Sequence, residues 1–315
     1  MPTRRGSIRI FRFLGVDVYL HWMWVLWAIF RIGFWHFHQY NSPIWYAIEY
    51  LGLFSIVLMH EFGHALACRQ VGGQANQIVL WLLGGVSYVS PPQRPGAILW
   101  SITAGPLVNV ALFPVFSAFA LCSHFLGWPD SHADANQFFE TIWLINIGLF
   151  VFNMLPIFPL DGGQILRSLL WFLIGPANSL LIVSIVGFVG VAGFSVFILL
   201  MYLGGDSGSA LWMGVMDYFI AMTCWRALQQ ALALSRLAKA PRRAEFRCPS
   251  CQVSPPIGEF WGCGRCRKTF DTFLTQGFCP HCNAEYHVTS CPFCHSARPM
   301  TEWHAYQTPS VPPQG

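Results

Sequence analysis

Charge is what this 315-residue sequence has least of. Only 10% of its residues are Asp, Glu, Lys or Arg, against roughly 25% in a soluble domain. With 54% hydrophobic residues and a mean hydropathy of +0.47, that deficit excludes an ordinary soluble globular chain. Several apolar runs near twenty residues long point to an integral membrane protein instead. Lysine and arginine are missing altogether from residues 37–43, 127–136 and 204–209. Cysteine is scarce before residue 248: Cys68, Cys122 and Cys224 read as apolar helix residues. No small-x-small cleavage site follows the basic N-terminus (Arg4, Arg5, Arg9, Arg12), so the first apolar run is expected to be retained rather than cleaved. A net charge of +4 is too small to call for a nucleic-acid partner.

The fold class expected is an α-helical polytopic membrane protein of about six transmembrane helices, with a small membrane-associated β-sheet and a small cysteine-rich cytoplasmic domain after residue 235. The spans fall at residues 16–36, 44–68, 97–126, 137–156, 176–203 and 210–234. Arg69, Arg94, Arg167 and the run Arg236, Lys239, Arg242, Arg243 share one side with the N-terminal arginines under this map, and both termini are then cytoplasmic. Arg31, inside the first run, is expected to snorkel to the outer headgroups. Residues 77–89 are β-branched and aromatic around Gly84-Gly85, and read as a hairpin or a membrane-dipping sheet. Such a sheet either plugs the space beside the second span or offers an edge to an extended substrate.

His60-Glu61-Phe62-Gly63-His64 lies inside the second span. Positions four apart stack on one helix face, so His60 and His64 can hold one metal ion, with Glu61 beside them as general base on water. Ionisable groups at membrane depth cost at least ~2.5–3.5 kcal/mol on insertion scales, which argues for function over accident. The topology puts the pair about 8–14 Å in from the cytoplasmic helix end, at 1.5 Å rise per residue. Catalytic zinc usually has three protein ligands. Asn153-Met154-Leu155-Pro156-Ile157-Phe158-Pro159-Leu160-Asp161-Gly162-Gly163 carries two prolines three apart, which break the fourth span. Asp161 is then either a third ligand or the N-cap of a helix starting near Gln164. Asn153 is either inter-helix glue or a hydrogen-bond donor to a carbonyl oxygen gaining charge.

Together, His60-Glu61-x-x-His64 and Asn153-x-x-Pro156-x-x-Pro159-Leu160-Asp161-Gly162 resemble the site-2 protease family of intramembrane zinc metalloproteases. Ala104-Gly105-Pro106-Leu107-Val108-Asn109 and the Gly84-Gly85 sheet are also similar to that family's pattern. The resemblance covers about residues 10–235. It implies His60, His64 and Asp161 as zinc ligands, Glu61 as catalytic acid/base, and Asn153 as a contributor to transition-state binding. It also implies hydrolysis of a peptide bond in or near a substrate's transmembrane helix. The PDZ and CBS modules some members carry are not recognisable here.

The tail has different chemistry. Cys248-x-x-Cys251, Cys263-x-x-Cys266, Cys279-x-x-Cys282 and Cys291-x-x-Cys294 supply eight thiolates, enough for two tetrahedral sites. Consecutive pairs are expected to share a site, with a crossed arrangement as the alternative. Zinc is favoured over iron, and disulfides are disfavoured in a reducing compartment. His281, His287 and His295 read as bystanders. Arg265, Arg267 and Lys268 with Phe260, Trp261 and Phe270 make only a weak nucleic-acid patch.

The expected organisation is a membrane metalloprotease domain at 1–235, a basic linker at 236–247, a double zinc ribbon at 248–296 and a disordered tail at 297–315. One catalytic and two structural zinc ions are implied. The expected partners are a transmembrane protein substrate, the lipid bilayer and a protein bound by the ribbons, in a prokaryotic plasma membrane. The competing reading is a membrane scaffold or metal-handling protein with a ribbon adaptor. It leaves the base beside the histidines without a purpose.

Overall fold

The computed structural model describes residues 6–33, 40–81, 84–294 and 296–303. The chain divides into two units, Met1–Ala231 and Leu232–Gly315.

The first unit opens with strands β1 (Ser7–Phe13) and β2 (Val16–His21), followed by helices α1 (Trp22–Gly33) and α2 (Ile44–Gln70). Strands β3 (Gln74–Trp81) and β4 (Gly84–Ser90) precede helices α3 (Pro95–Phe125), α4 (Trp128–Ser131), α5 (Ala133–Met154) and α6 (Asp161–Leu203). Helix α7 (Ser207–Lys239) runs on into the second unit. Among the described residues, four helices, α2, α3, α5 and α6, are long and apolar enough to cross a membrane.

The six-span map is corrected at its start. Residues 16–21 are a strand, because Val16 and Val18 point inward and pack with Ala75, Ile78 and Leu80 against Val57, Ala65 and Cys68 of α2. An apolar run beginning with a strand and continuing as a helix reads as one span until its partner strand is known. The sheet order is β1-β2-β3-β4, with β2 and β3 parallel and the other pairs antiparallel. Its middle pair is parallel because two helices intervene and return the chain in the same direction. Gly84 and Gly85 open β4 opposite Trp81 and Leu80, and residues 82–83 lie outside the described residues. Arg69 ties the sheet to α2 through the Gly15 and Ala75 carbonyls, at 3.0 and 2.9 Å. The Arg31 side chain and the end of the expected first span also lie outside the described residues.

Helices α2 and α3 pack closely because Gly63 has no side chain. A Cβ there would stand 2.6 Å from the Ala104 carbonyl oxygen. Between α5 and α6 the chain unwinds at the two prolines and folds back on the start of α6. Gly162 and Gly163 permit this: a Cβ on either would meet the backbone of Met154 or of Ile157 and Phe158 at 2.3–2.6 Å. Gly175 (φ 78°, ψ 172°) interrupts α6 immediately before Pro176, where the fifth span was expected to begin.

The second unit contains the two-residue strands β5 (Trp261–Gly262) and β6 (Thr269–Phe270). Strands β7 (Val288–Ser290) and β8 (Ala297–Pro299) follow, then a single 3-10 turn, Met300–Trp303. Each Cys-x-x-Cys turn closes through the N–H of its first cysteine, as in Cys263 to the Lys268 carbonyl at 2.9 Å. Two boundaries are corrected. Residues 297–303 are ordered, and Trp303 is fully buried among Phe273, Met300 and the cysteines. The expected linker is built into this unit as well: Arg243 pairs with Asp271 at 2.6 Å, and Phe246 packs on Phe273. A small cysteine-rich unit with little apolar core recruits aromatics from both flanks, which cysteine spacing does not announce.

The Gly63 contact yields a prediction. Gly63→Ala should cost ~1–3 kcal/mol by forcing α2 off α3, read as a lower thermal midpoint in detergent. Gly193→Ala, which meets nothing within 4 Å, should leave the midpoint unchanged or slightly raised.

Candidate metal centres

Helix α2 carries His60, Glu61 and His64 on its buried side, and α6 begins at Asp161; all four are 4–8% exposed. Asp161 Oδ2 lies 3.1 Å from His60 Nε2 and 3.3 Å from His64 Nε2, and the two nitrogens are 3.1 Å apart. Asp161 is the first residue of its helix and makes no capping hydrogen bond, so the cap role does not hold: its carboxylate turns to the histidines.

The opposite ring nitrogens set the chemistry of this cluster. His64 Nδ1 is 3.0 Å from the Ser101 carbonyl oxygen, which can only accept, so Nδ1 carries the proton. His60 Nδ1 donates to Asn109 Oδ1 at 2.6 Å. With both rings neutral, each Nε2 presents a lone pair to a buried carboxylate oxygen that has no hydrogen-bond partner. In that state three acceptors meet, and a cation satisfies all three. The donor set, two imidazoles and a carboxylate, suits zinc with a position left open.

Close approach to the cluster depends on glycine. A Cβ on Gly105 of α3 would stand 2.3 Å from His64 Nε2 and 2.9 Å from His60 Nε2. A Cβ on Gly85 of β4 would stand 2.3 Å from Glu61 Cγ. Two residues on, the Ser87 hydroxyl lies 3.0 Å from the Glu61 carbonyl oxygen and within hydrogen-bond reach of Glu61 Oε2. The sheet thus brings an edge strand against the acid beside the histidines. Asn153 is half-buried on the last turn of α5.

Sequence reasoning placed the three ligand candidates and Glu61, but missed Ser87, Ser101 and Asn146, and assigned Asn109 no role. For Asn109 and Asn146 a signal existed: an amide in an otherwise apolar helix wants a partner.

All eight tail cysteines are free thiols, gathered in two clusters. Cys248 and Cys251 meet Cys291 and Cys294, with sulfur pairs 3.7 and 3.8 Å apart. Cys263 and Cys266 meet Cys279 and Cys282, at 3.5 and 3.7 Å. The expected sharing of consecutive pairs is therefore corrected: the arrangement is nested, first pair with fourth and second with third. The aromatic core of Trp261, Phe273 and Trp303 draws both ends of the segment together. The Cys263 thiol is lowered to about 5 by the Cys266 N–H and then by the Tyr286 hydroxyl. For Cys294, burial works upward, but hydrogen bonds to Ser296 outweigh it and bring the thiol to about 6. Each cluster so holds at least one thiol inclined to the thiolate form that a metal needs, Cys248 being lowered as well as Cys294 in the outer one. His287 stays outside both clusters, 3.5 Å from Glu285 and exposed; His295 lies outside the described residues.

With this geometry in hand, residues 129–200 match peptidase family M50. A zinc metalloprotease of Methanocaldococcus jannaschii is 32% identical over 164 residues, 52% of this chain and 45% of the relative. Rip3 of Mycobacterium tuberculosis is 29% identical over 177 residues, 53% of this chain and 44% of Rip3. The chain thus spans less than half the length of these curated relatives. The solved site-2 protease from Methanocaldococcus jannaschii superposes with a TM-score of 0.46 at 24% identity, covering 70% of this chain and 95% of that one.

The nested clusters predict zinc stoichiometry, measured by elemental analysis of the purified chain. Cys251→Ser and Cys291→Ser should remove the same ion, alone or combined. Cys251→Ser combined with Cys266→Ser should remove two, where consecutive pairing would remove one.

Proposed function

We propose that this chain, whose residues 129–200 match peptidase family M50, is an intramembrane zinc metalloendopeptidase of the site-2 protease type. Its reaction is hydrolysis of a peptide bond in or near a substrate's transmembrane helix. The observation that carries this reading is the meeting of His60 Nε2, His64 Nε2 and Asp161 Oδ2, with the Glu61 carboxylate on the adjoining residue of the same helix.

In this reading His60, His64 and Asp161 hold the zinc ion. When bound, zinc supplies a Lewis acid that lowers the pKa of water toward ~7 and polarises a carbonyl. Glu61 takes a proton from the attacking water and delivers it to the amide nitrogen as the C–N bond breaks, leaving a carboxylic acid and an amine. Ser87 donates a hydrogen bond that aims the Glu61 carboxylate, and Gly85 leaves room for it. The protonated Nδ1 of each ligand histidine stays bonded to Asn109 or Ser101, which keeps the rings from turning. Asn153 is assigned a hydrogen bond to the carbonyl oxygen as it gains charge. An extended substrate segment laid along the open edge of β4 would run beside Glu61, with its backbone groups satisfied by the strand.

Six spans are assigned, α1 and α7 joining the four long apolar helices, in a prokaryotic plasma membrane with both termini cytoplasmic. The eight tail cysteines hold two structural zinc ions and present the ribbons to a cytoplasmic protein partner. The enzyme domain ends near residue 235, and the ribbon starts at Cys248.

Cleavage of a transmembrane reporter in proteoliposomes, run beside zinc analysis, tests the assignment. Glu61→Gln should lower turnover by ~10²–10⁴-fold with the zinc content unchanged. Asp161→Asn and His60→Ala should lose one zinc ion together with activity. Unchanged cleavage in Glu61→Gln would remove the hydrolytic reading and leave a scaffold.

A further inference from the structure

We propose that Asn146 of α5 is a positioning residue: through Asn109 it holds His60 in the one ring tautomer that can bind a cation. The proposal rests on the metal reading above and extends it to a residue on a third helix.

The deduction starts from a group that cannot be turned around. The Asn109 backbone carbonyl oxygen only accepts, so the Asn146 atom 3.0 Å from it is the amide nitrogen, Nδ2. Asn146 Oδ1 then faces Asn109 and accepts from its Nδ2 at 2.9 Å. This fixes the sense of the Asn109 amide and turns Asn109 Oδ1 toward His60 Nδ1, 2.6 Å away. An amide oxygen cannot donate, so His60 Nδ1 carries the hydrogen. His60 Nε2 keeps its lone pair for the site shared with Asp161. Were Asn109 inverted, its NH2 would face Nδ1, the ring would carry its hydrogen on Nε2, and that atom could not coordinate.

His60 and His64 differ in what they need. His64 bonds to the Ser101 backbone carbonyl, which has only one sense. His60 bonds to an amide with two nearly isosteric senses, and something must choose between them. Asn109 and Asn146 are 1% and 2% exposed, so bulk water is not at hand to do it. Asn146 satisfies Asn109 through two bonds at once, one from the amide and one to the backbone. That is the geometry of an orienting clamp rather than of helix packing alone.

The experiment measures the zinc dissociation constant of the full chain in detergent by chelator competition, with His60→Ala as the blank for the cysteine-bound ions. Asn146→Leu should weaken the His-bound ion ~10–100-fold, the usual cost of losing such support. Asn146→Asp in its protonated form can donate to the Asn109 carbonyl through one oxygen and accept from Asn109 Nδ2 through the other, and should retain most of the affinity. Asn109→Asp presents two equivalent oxygens and has no sense to fix. The double variant Asn109→Asp/Asn146→Leu should therefore bind zinc as Asn109→Asp does alone. A packing role would not be rescued this way. Thermal midpoints are followed in parallel; should Asn146→Leu fail to fold, Asn146→Ala and its Asn109→Asp double supply the same comparison. Wild-type affinity in Asn146→Leu, or no rescue in the double variant, overturns the proposal. A wild-type chain binding no more zinc than His60→Ala overturns the metal reading beneath it.

Discussion

Three electron-pair donors held against one another in a buried site are the constraint on which the membrane part depends. His60, His64 and Asp161 come from two helices separated by about a hundred residues, and unmatched they would repel. In a low dielectric that repulsion is not screened. The surrounding structure acts to keep it in place. Glycines at 63 and 105 let α2 press on α3, and those at 162 and 163 let the unwound segment deliver Asp161. Carbonyl and amide groups of α3 grip the outer side of each imidazole.

The sheet does a second job. Its inner face, Val16, Val18, Ile78 and Leu80, buries against α2 and so fixes where β4 can lie. The register that sets Leu80 opposite Gly85 also sets Ile78 opposite Ser87. One pairing thus places both the residue that makes room for Glu61 and the hydroxyl that contacts it. A shift by one residue would turn these side chains to the opposite face.

Much of the site could be read in the sequence because its chemistry is local. A four-residue spacing on a helix and a double-proline break before an acid each carry their own geometric meaning, and two of the long helices, α2 and α3, follow the expected limits within two residues. What escaped depended on contacts made at a distance. Residues 16–21 are as apolar as the helix after them, and only pairing with β1 and β3 makes them a strand. Asn146 is an amide in a hydrophobic run whose partner lies 37 positions away. Cysteine spacing supplies four pairs but does not say which of them meet, since that depends on how Trp261, Phe273 and Trp303 collapse.

Nesting has an effect on assembly order. The inner four thiols span residues 263–282, whereas the outer four must close a loop from 248 to 294. Once the inner hairpin is clamped, the outer ends have a far shorter effective loop to close, and the entropic cost of joining them falls. During synthesis the inner group is complete while the last pair is still to be made. Nesting therefore favours closure from the centre outward, and a chain cut short before Cys291 would keep the inner four thiols and lose half of the outer four.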